Sequence, residues 1–553
     1  MKKKRIFAAA TASLMLISTL GACAPKATTG TTTPSTTATT TAEDTGFDPS
    51  KFQVKAIDEK TFEVTLNTPI PYFLELTAFP TFMPVQKNAV ETGGDAWATK
   101  PETYVGTGAF RMTEFVNGSH ITLEKNPNYW DAANVTPEKL TLTLTDDAVA
   151  QLDGFQTGKF QFIDDIPTNE IDQLMNNPDF VREPQLGTYY ASLNNQKAPF
   201  DNPLVRKAFS LAVDREYISK NISKGWIPAG AFVPPTSTDN GKEFGDNRKD
   251  YIDVSDGAYE KNLAEAKSLL AEAGYPDGAG LPNIEYIYNE GSIHRPVAEA
   301  LQDMWGKLGA KVSIESQEWS TFLNTRKHGE YMAARDGWVN DYSDPIGMLD
   351  LFVTGNGNNN AQYSNPEYDK LIASIKSETD QTKRSVLLHQ AEDMLFADSV
   401  FVPLLYYTDY YMVAPQVKSG IWSTPIGWKF FRKAPVSELD VVLGPNPDTI
   451  DPALNSAVDA GIMILTAFDG LYRYDEQSAL EPSLAESVDV SEDGLTYTFH
   501  LRDGLKWSDG TPLTAEDFVY SWTRAINPET AADYSEMFNI IKGYNDALGV
   551  TAE

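Results

Sequence analysis

The stretch 283–315 constrains the fold more than any other. Residues 283–288 read as a strand, 296–308 as a helix and 311–315 as a second strand. Two neighbouring strands joined through one helix run parallel, with a right-handed crossover. Helices cover parallel strands, so this unit belongs to a layered α/β body. More helices flank it. In 202–213, Val205, Phe209 and Ala212 share a face; 263–273 ends at Gly274 and Pro276; 383–395 is a third. The apolar run 400–407 reads as a buried strand.

Elsewhere the period changes to two. Phe62, Val64 and Leu66 alternate with Thr61, Glu63 and Thr65, and strands are also read at 121–124 and 140–145. Gly106 to Ala109 form a tight turn leading into a strand at Phe110, and 69–84, rich in Pro and aromatics, reads as a loop or a crossing between lobes. The chain is therefore β-rich to about Gly187. So is its last part: 439–443 is an apolar strand, and Tyr497, Phe499 and Leu501 alternate with polar neighbours. Asp509-Gly510 then forms a turn, and Thr514 can cap a helix running to about Ala525.

Composition removes several functions. A net charge of -32 leaves no basic face for nucleic acid. One cysteine in 553 residues excludes a disulfide framework and a multi-cysteine metal site. The five histidines have no ligand spacing, and no nucleophile elbow, zinc-protease helix or phosphate loop is present. No cofactor and no enzymatic activity are expected; an acid-pair hydrolase is the remaining catalytic alternative.

The N-terminus reads as a targeting segment. Lys2-Lys3-Lys4-Arg5 is a basic region and 6–20 is apolar but short for a bilayer. Leu20-Gly21-Ala22-Cys23 looks like a bacterial lipobox, which makes Cys23 the lipidated residue. The alternative is a plain secretory signal with a chance cysteine. The expectation is a signal peptide over 1–22 and a Thr-rich tether over 23–43. Lipid chains on Cys23 would anchor the protein, each buried CH₂ contributing ~0.8 kcal/mol.

Chemistry concentrates in 335–345. Arg335 supplies a cation, Trp338 and Tyr342 are aromatic, and Asp336, Asp341 and Asp344 are acidic. Val339 and Tyr342 favour a strand, and Ser343-Asp344-Pro345 favours a turn. A carboxylate at such a strand end can meet an ammonium ion, while the strand edge offers backbone groups to an extended ligand. A solvated surface turn is the alternative.

Ala334 to Trp338, with Asp341-Tyr342, resembles a segment of the oligopeptide-binding proteins of bacterial ABC importers, extracellular solute-binding protein family 5. Tyr497 to Arg502 with Trp507 to Thr514 resembles that family's signature, as do Asn126 to Trp130, Asn194-Asn195 with Pro199-Phe200, and Val205 to Ala208. The order differs: the part similar to 435–553 comes first in the family, so the chain reads as a circular permutant joined at 431–437. Engineering, natural rearrangement and a sequence-assembly fault are equally open.

The resemblance implies a two-lobed periplasmic-binding-protein-like α/β fold of the class II type, with an additional smaller β-rich domain. On that pattern 44–78 and 468–553 form the smaller domain, 79–186, 409–434 and 435–467 the first lobe, and 187–408 the second. It implies capture of oligopeptides in a closing cleft and delivery to ABC permease subunits, by a monomer anchored outside the cytoplasm. Asp341 would hold the α-ammonium. Gly337, Trp338 and Val339 would pair with the peptide backbone, with Asn455, Ser456, Ala457 and Val458 opposite. Arg335, Arg326 and His294 fall on carboxylate-binding positions, while Ile222 stands where the family has a further lysine, with Lys224 two residues on. Trp319, Trp338 and Tyr190 would line pockets. A receptor of the same fold for a sugar, a nickel complex or a signalling peptide is the main alternative; a structural lipoprotein with a degenerate cleft is a third.

Overall fold

The computed structural model describes residues 46–550 apart from 240, 249, 291 and 292. Cys23, the signal segment and the tether lie outside the described residues.

The strand–helix–strand unit forms as its periodicity dictates. Ile284–Asn289, helix His294–Gly306 and Val312–Gln317 follow one another, and the two strands pair in parallel from Ile284↔Val312 to Asn289↔Gln317. The helix buries Val297, Leu301 and Trp305. Local chemistry sets other boundaries. Asn202 accepts from the Leu204 N–H and Pro203 opens helix Pro203–Leu211. Thr514 and Asp517 form a capping box at helix Ala515–Ile526.

These elements belong to one eleven-stranded mixed sheet. From one edge its order is Val312–Gln317, Ile284–Asn289, Ala333–Val339, Phe180–Leu193, Phe401–Val413, Phe162–Ile163, Glu438–Gly444, Lys139–Leu144, His120–Lys125 and Phe110–Val116; Ile227–Pro228 adds to Phe401–Val413. Phe180–Leu193 and Phe401–Val413 are the long antiparallel pair at its centre. Their far ends serve different neighbours: 187–193 ladders with Ala333–Val339, whereas Met412 and Val413 pair with Phe162 and Ile163. Midway their own register shifts twice, between Pro403 and Leu405 and between Tyr406 and Thr408. Leu186 turns aside there, its N–H donating to Pro425 O and its carbonyl accepting from Asn340. Gly187 is needed at this point, because a Cβ would lie 2.7 Å from Trp338 O.

A second, four-stranded sheet joins the two ends of the described chain in the order Val54–Asp58, Thr61–Thr65, Thr496–Leu501, Ala485–Val490. Phe62 and Phe499 are fully buried on its inner face, where Phe62 meets Trp522 edge-on at 5.0 Å. Backbone bonds also tie the ends, with Asp48 N donating to Ala547 O at 2.8 Å and Gln53 N to Lys542 O at 2.9 Å. Residues 431–437 run continuously along the main sheet: Arg432 O accepts from Thr136 N, and Ser437 O from Glu138 N.

Candidate ligand-binding cleft

Ala333–Val339 is paired along its whole length on one side and almost free on the other. Seven residues ladder with Phe180–Leu193, from Ala333↔Leu193 to Val339↔Gly187. Towards Ile284–Asn289 only Ala333 and Ala334 are paired. Beyond Ala334 the strands diverge, and among the described residues no strand pairs with the outer edge of 335–339. This is the open edge that an extended ligand can complete.

Alternation sends successive side chains to opposite faces. On one face the Arg335 guanidinium lies over the Tyr189 ring, 5.1 Å from its centre, and donates to Tyr407 Oη at 3.1 Å. His294 stacks on Tyr189, with Nδ1 3.1 Å from the tyrosine oxygen. Burial and the Arg335 charge push the His294 pKa down to about 3, so this imidazole is neutral at pH 7. His294 is therefore a neutral hydrogen-bonding group here, a correction to its reading as a cation. Gly337 lets Tyr407 approach, since a Cβ there would stand 2.2 Å from Tyr407 Oη. Arg335 forms no ion pair among the described residues, and its buried Nε has no hydrogen-bond acceptor.

On the other face Asp336 is buried and holds Arg326 in an ion pair. Its carboxylate also accepts from Ser192 Oγ at 2.7 Å, Asn360 Nδ2 at 3.1 Å and the Gly337 N–H at 2.9 Å. The Arg326 charge is thus already compensated, unlike that of Arg335. Tyr190, read as a pocket wall, is buried against Phe232 and Phe401, and its equally buried strand neighbour Tyr189 is the ring beside Arg335. Trp338 is half-buried, and its indole N–H is buried without a partner. Trp319 opens helix Trp319–Lys327, but its side chain lies outside what is described. Ile222 caps a helix end, and Lys224 pairs with Asp172 at 2.7 Å, so neither leaves a free cation beside Arg335.

Six residues along from Arg335, Asp341 stands at the other end of the edge. It is half-buried, and desolvation pushes its carboxyl up to about 7. Its one hydrogen bond comes from Tyr534 Oη at 3.3 Å, and among the described residues no cation pairs with it. Tyr534 lies 193 residues away in sequence, and no local pattern marks it.

A relay of side-chain contacts leads from Asp341 and Tyr534 to the loop at Asn455. Phe79 contacts Tyr534 at 5.2 Å and Trp428 at 5.6 Å; Trp428 packs against Gly461, beside the Asn455 amide. Asn455 is buried and bonds in both directions to the Ala457 backbone, so its side chain shapes the loop. Ser456, Ala457 and Val458 are exposed, and Val458 begins helix Val458–Ala467. A hollow of about 750 Å³ lies elsewhere, between 49–55 and the helix Ala515–Ile526. Its three cations, Lys55, Lys87 and Arg524, are each ion-paired.

The chain belongs to the bacterial extracellular solute-binding proteins, family 5, whose model matches residues 23–360 and 479–553. It is 39% identical over 378 residues to the periplasmic oligopeptide-binding protein OppA of Salmonella typhimurium, covering 68% of this chain and 68% of that one. The oligopeptide-binding protein OppA of Bacillus subtilis is 36% identical over 389 residues, with 69% and 70% covered. Among solved structures, Haemophilus influenzae OppA in complex with RPPGFSPFR superposes with a TM-score of 0.55 at 32% identity, covering 66% of this chain and 71% of that one. The Borrelia burgdorferi oligopeptide-binding protein OppAIV gives 0.56 at 32% identity, with the same coverage. These neighbours share the mixed α/β, two-lobed fold. The family consists of substrate-binding transport proteins, and these relatives are named as periplasmic or oligopeptide-binding. No helix among the described residues is long and apolar enough to cross a membrane.

Proposed function

We propose that this protein captures oligopeptides between two lobes and delivers them to an ABC transporter, without cleaving them. One observation carries the reading: an uncompensated carboxylate, Asp341, and an uncompensated guanidinium, Arg335, stand at opposite ends of one open strand edge. A zwitterion with a hydrogen-bonding backbone fits this arrangement, whereas a sugar or a nickel complex leaves at least one charge unmatched. With the α-ammonium at Asp341 and the α-carboxylate at Arg335, the peptide runs antiparallel to Ala333–Val339. Six residue steps span about 20 Å, and side-chain reach at both ends shortens this to a peptide of about three to five residues. Gly337, Trp338 and Val339 supply the pairing edge, Ser456 to Val458 close the opposite side, and His294 donates to or accepts from the ligand as a neutral group. Calorimetry with free tripeptides tests the reading. Micromolar or tighter binding with no hydrolysis products in mass spectra supports it; cleaved peptide contradicts it.

The Asp341 environment makes binding pH-dependent. Its raised pKa keeps the empty carboxyl protonated at pH 5, and binding an ammonium requires its ionisation. Affinity should therefore rise between pH 5 and about 7, by roughly 10- to 100-fold, and fall again as the peptide α-amine loses its proton near 8. A flat profile over this range would place Asp341 outside the site.

Hinge closure fits the central strand pair, where register shifts between Pro403 and Leu405 and between Tyr406 and Thr408, the latter opposite Gly187, interrupt an otherwise long ladder. The segment order supports a circularly permuted chain: 46–53 lie against 542–550, as neighbours joined in sequence would. On this reading 44–78 and 468–553 form the smaller domain, around the four-stranded sheet. We assign Cys23 as the lipid anchor on its lipobox. Cys23→Ser should move the protein from the membrane fraction to the soluble one; unchanged fractionation and mass would refute the anchor.

A further inference from the structure

The loop after the ligand-binding strand contributes three consecutive residues to contacts with elements from outside 187–408. Asp341 meets Tyr534. Tyr342 stacks face to face on Tyr72, with ring centres 4.2 Å apart and planes 3° from parallel. Ser343 gives Glu75 two hydrogen bonds, from its N–H at 2.9 Å and from its hydroxyl at 2.7 Å. Behind the loop, Arg384 grips Asp344 with both terminal nitrogens, at 2.7 and 2.9 Å, and the Ser343 carbonyl accepts from Thr238 N. The loop is therefore fixed to its own side by a buried ion pair and to the other side by a ring stack and a doubly bonded carboxylate.

Nothing in the chemistry of ligand pairing requires Tyr72 or Glu75. Glu75 receives donors from the residue two places beyond Asp341, and its carboxylate is half-buried. Burial raises its pKa; the Ser343 bonds work in the opposite direction, favouring the ionised form. Opening exchanges these bonds and the ring stack for contacts with water, a net loss for each hydrogen bond, so opening is disfavoured with or without ligand.

Resting on the two-lobe reading above, with the smaller domain moving together with the first lobe, we propose that Glu75 and Tyr72 form a latch that holds the 341–343 loop across the cleft mouth, positions Asp341 and sets the open-to-closed balance without touching the peptide. The latch biases the empty protein towards closure, so its effect is readable in the absence of any ligand. The latch is polar or aromatic throughout; Glu75, Tyr342 and Ser343 are half-buried and Tyr72 is buried beneath them, which suits a contact that forms and breaks.

The test uses spin labels at the exposed positions Asn117 and Lys267, changed to Cys in a full-length Cys23→Ser background. Distance distributions are recorded for the parent, Glu75→Ala and Ser343→Ala without peptide. Both variants should move the population towards longer distances, by roughly tenfold in the open-to-closed ratio for Glu75→Ala and less for Ser343→Ala, which keeps its N–H. Ser343→Ala removes one hydroxyl at a half-buried site, so it preserves a readable sample if Glu75→Ala misfolds. Distributions identical to the parent in Ser343→Ala, or in a folded Glu75→Ala, would overturn the latch. Adding tripeptide to the parent then separates the two readings: a parent that ignores peptide while the variants still open refutes peptide capture and retains the latch.

Discussion

Replacing Asp341 by asparagine lowers the affinity for free tripeptides roughly 30-fold or more, because truncating one partner of a desolvated charge pair costs about 2–5 kcal/mol. Asparagine keeps the shape and still accepts a hydrogen bond from Tyr534, so the loss reports charge. The same change has an opposite effect on the empty protein. A carboxyl raised to about 7 by burial destabilises the fold increasingly from about pH 4, where the unfolded group begins to ionise, up to about pH 7, where the folded one does. At pH 4 the folded carboxyl is protonated and the unfolded one half so; as pH rises through 7 the folded group must ionise without a partner. Asp341→Asn should therefore raise the melting temperature of the unliganded protein at pH 8 and change it least near pH 4. A site that gains stability when its charge is removed, and loses ligand affinity in the same step, is a binding site held ready at the expense of the fold. Equal melting temperatures at both pH values would mean that solvent reaches the carboxylate.

The largest stability effect belongs to Arg326. Removing one member of a buried ion pair costs about 3–5 kcal/mol, since the other charge is left in a low-dielectric site. Asp336 is 2 % exposed, and Arg326 is its cation. Arg326→Leu should lower stability in urea by about that amount, the lower end applying because Ser192, Asn360 and the Gly337 N–H still serve the carboxylate. Adding Asp336→Asn should restore most of the loss. Arg335 provides the contrast. It has no carboxylate to orphan, so Arg335→Leu should spare the fold and weaken peptides with a free C-terminus. If Arg326→Leu instead leaves stability unchanged and abolishes binding, Arg326 is the carboxylate ligand and its pairing with Asp336 is dispensable.

These contrasts mark how far residue patterns reach. The 283–315 unit was legible because apolar spacing switches cleanly from two to 3.6 and back. The boundaries at Asn202 and Thr514 were legible because capping chemistry is local. Asp341 and Arg335 stood out through residue type within eleven positions. What lay beyond reach is long-range. The first half of Phe180–Leu193 carries Arg182, Glu183 and Pro184, which hide a strand whose pairing comes from Phe401–Val413. Helix Val458–Ala467 is buried nearly all round, so it shows no amphipathic stripe. Tyr190 and Tyr189 are indistinguishable by composition, and only register decides which one faces Arg335. Whether an arginine is free depends on partners such as Asp336, and the Tyr534 and Glu75 contacts join segments far apart in sequence.

Whether Asp341 meets a peptide α-ammonium is measured directly by one calorimetric cycle. Trialanine and N-acetyl-trialanine are titrated at pH 7.5 into the wild type and Asp341→Asn. The account predicts that acetylation weakens wild-type binding about as much as the mutation does, that the mutant barely distinguishes the two peptides, and that the coupling between the changes is about 2 kcal/mol or more. Coupling near zero, with both proteins treating the two peptides alike, would contradict it and return Asp341 to the role of a turn residue.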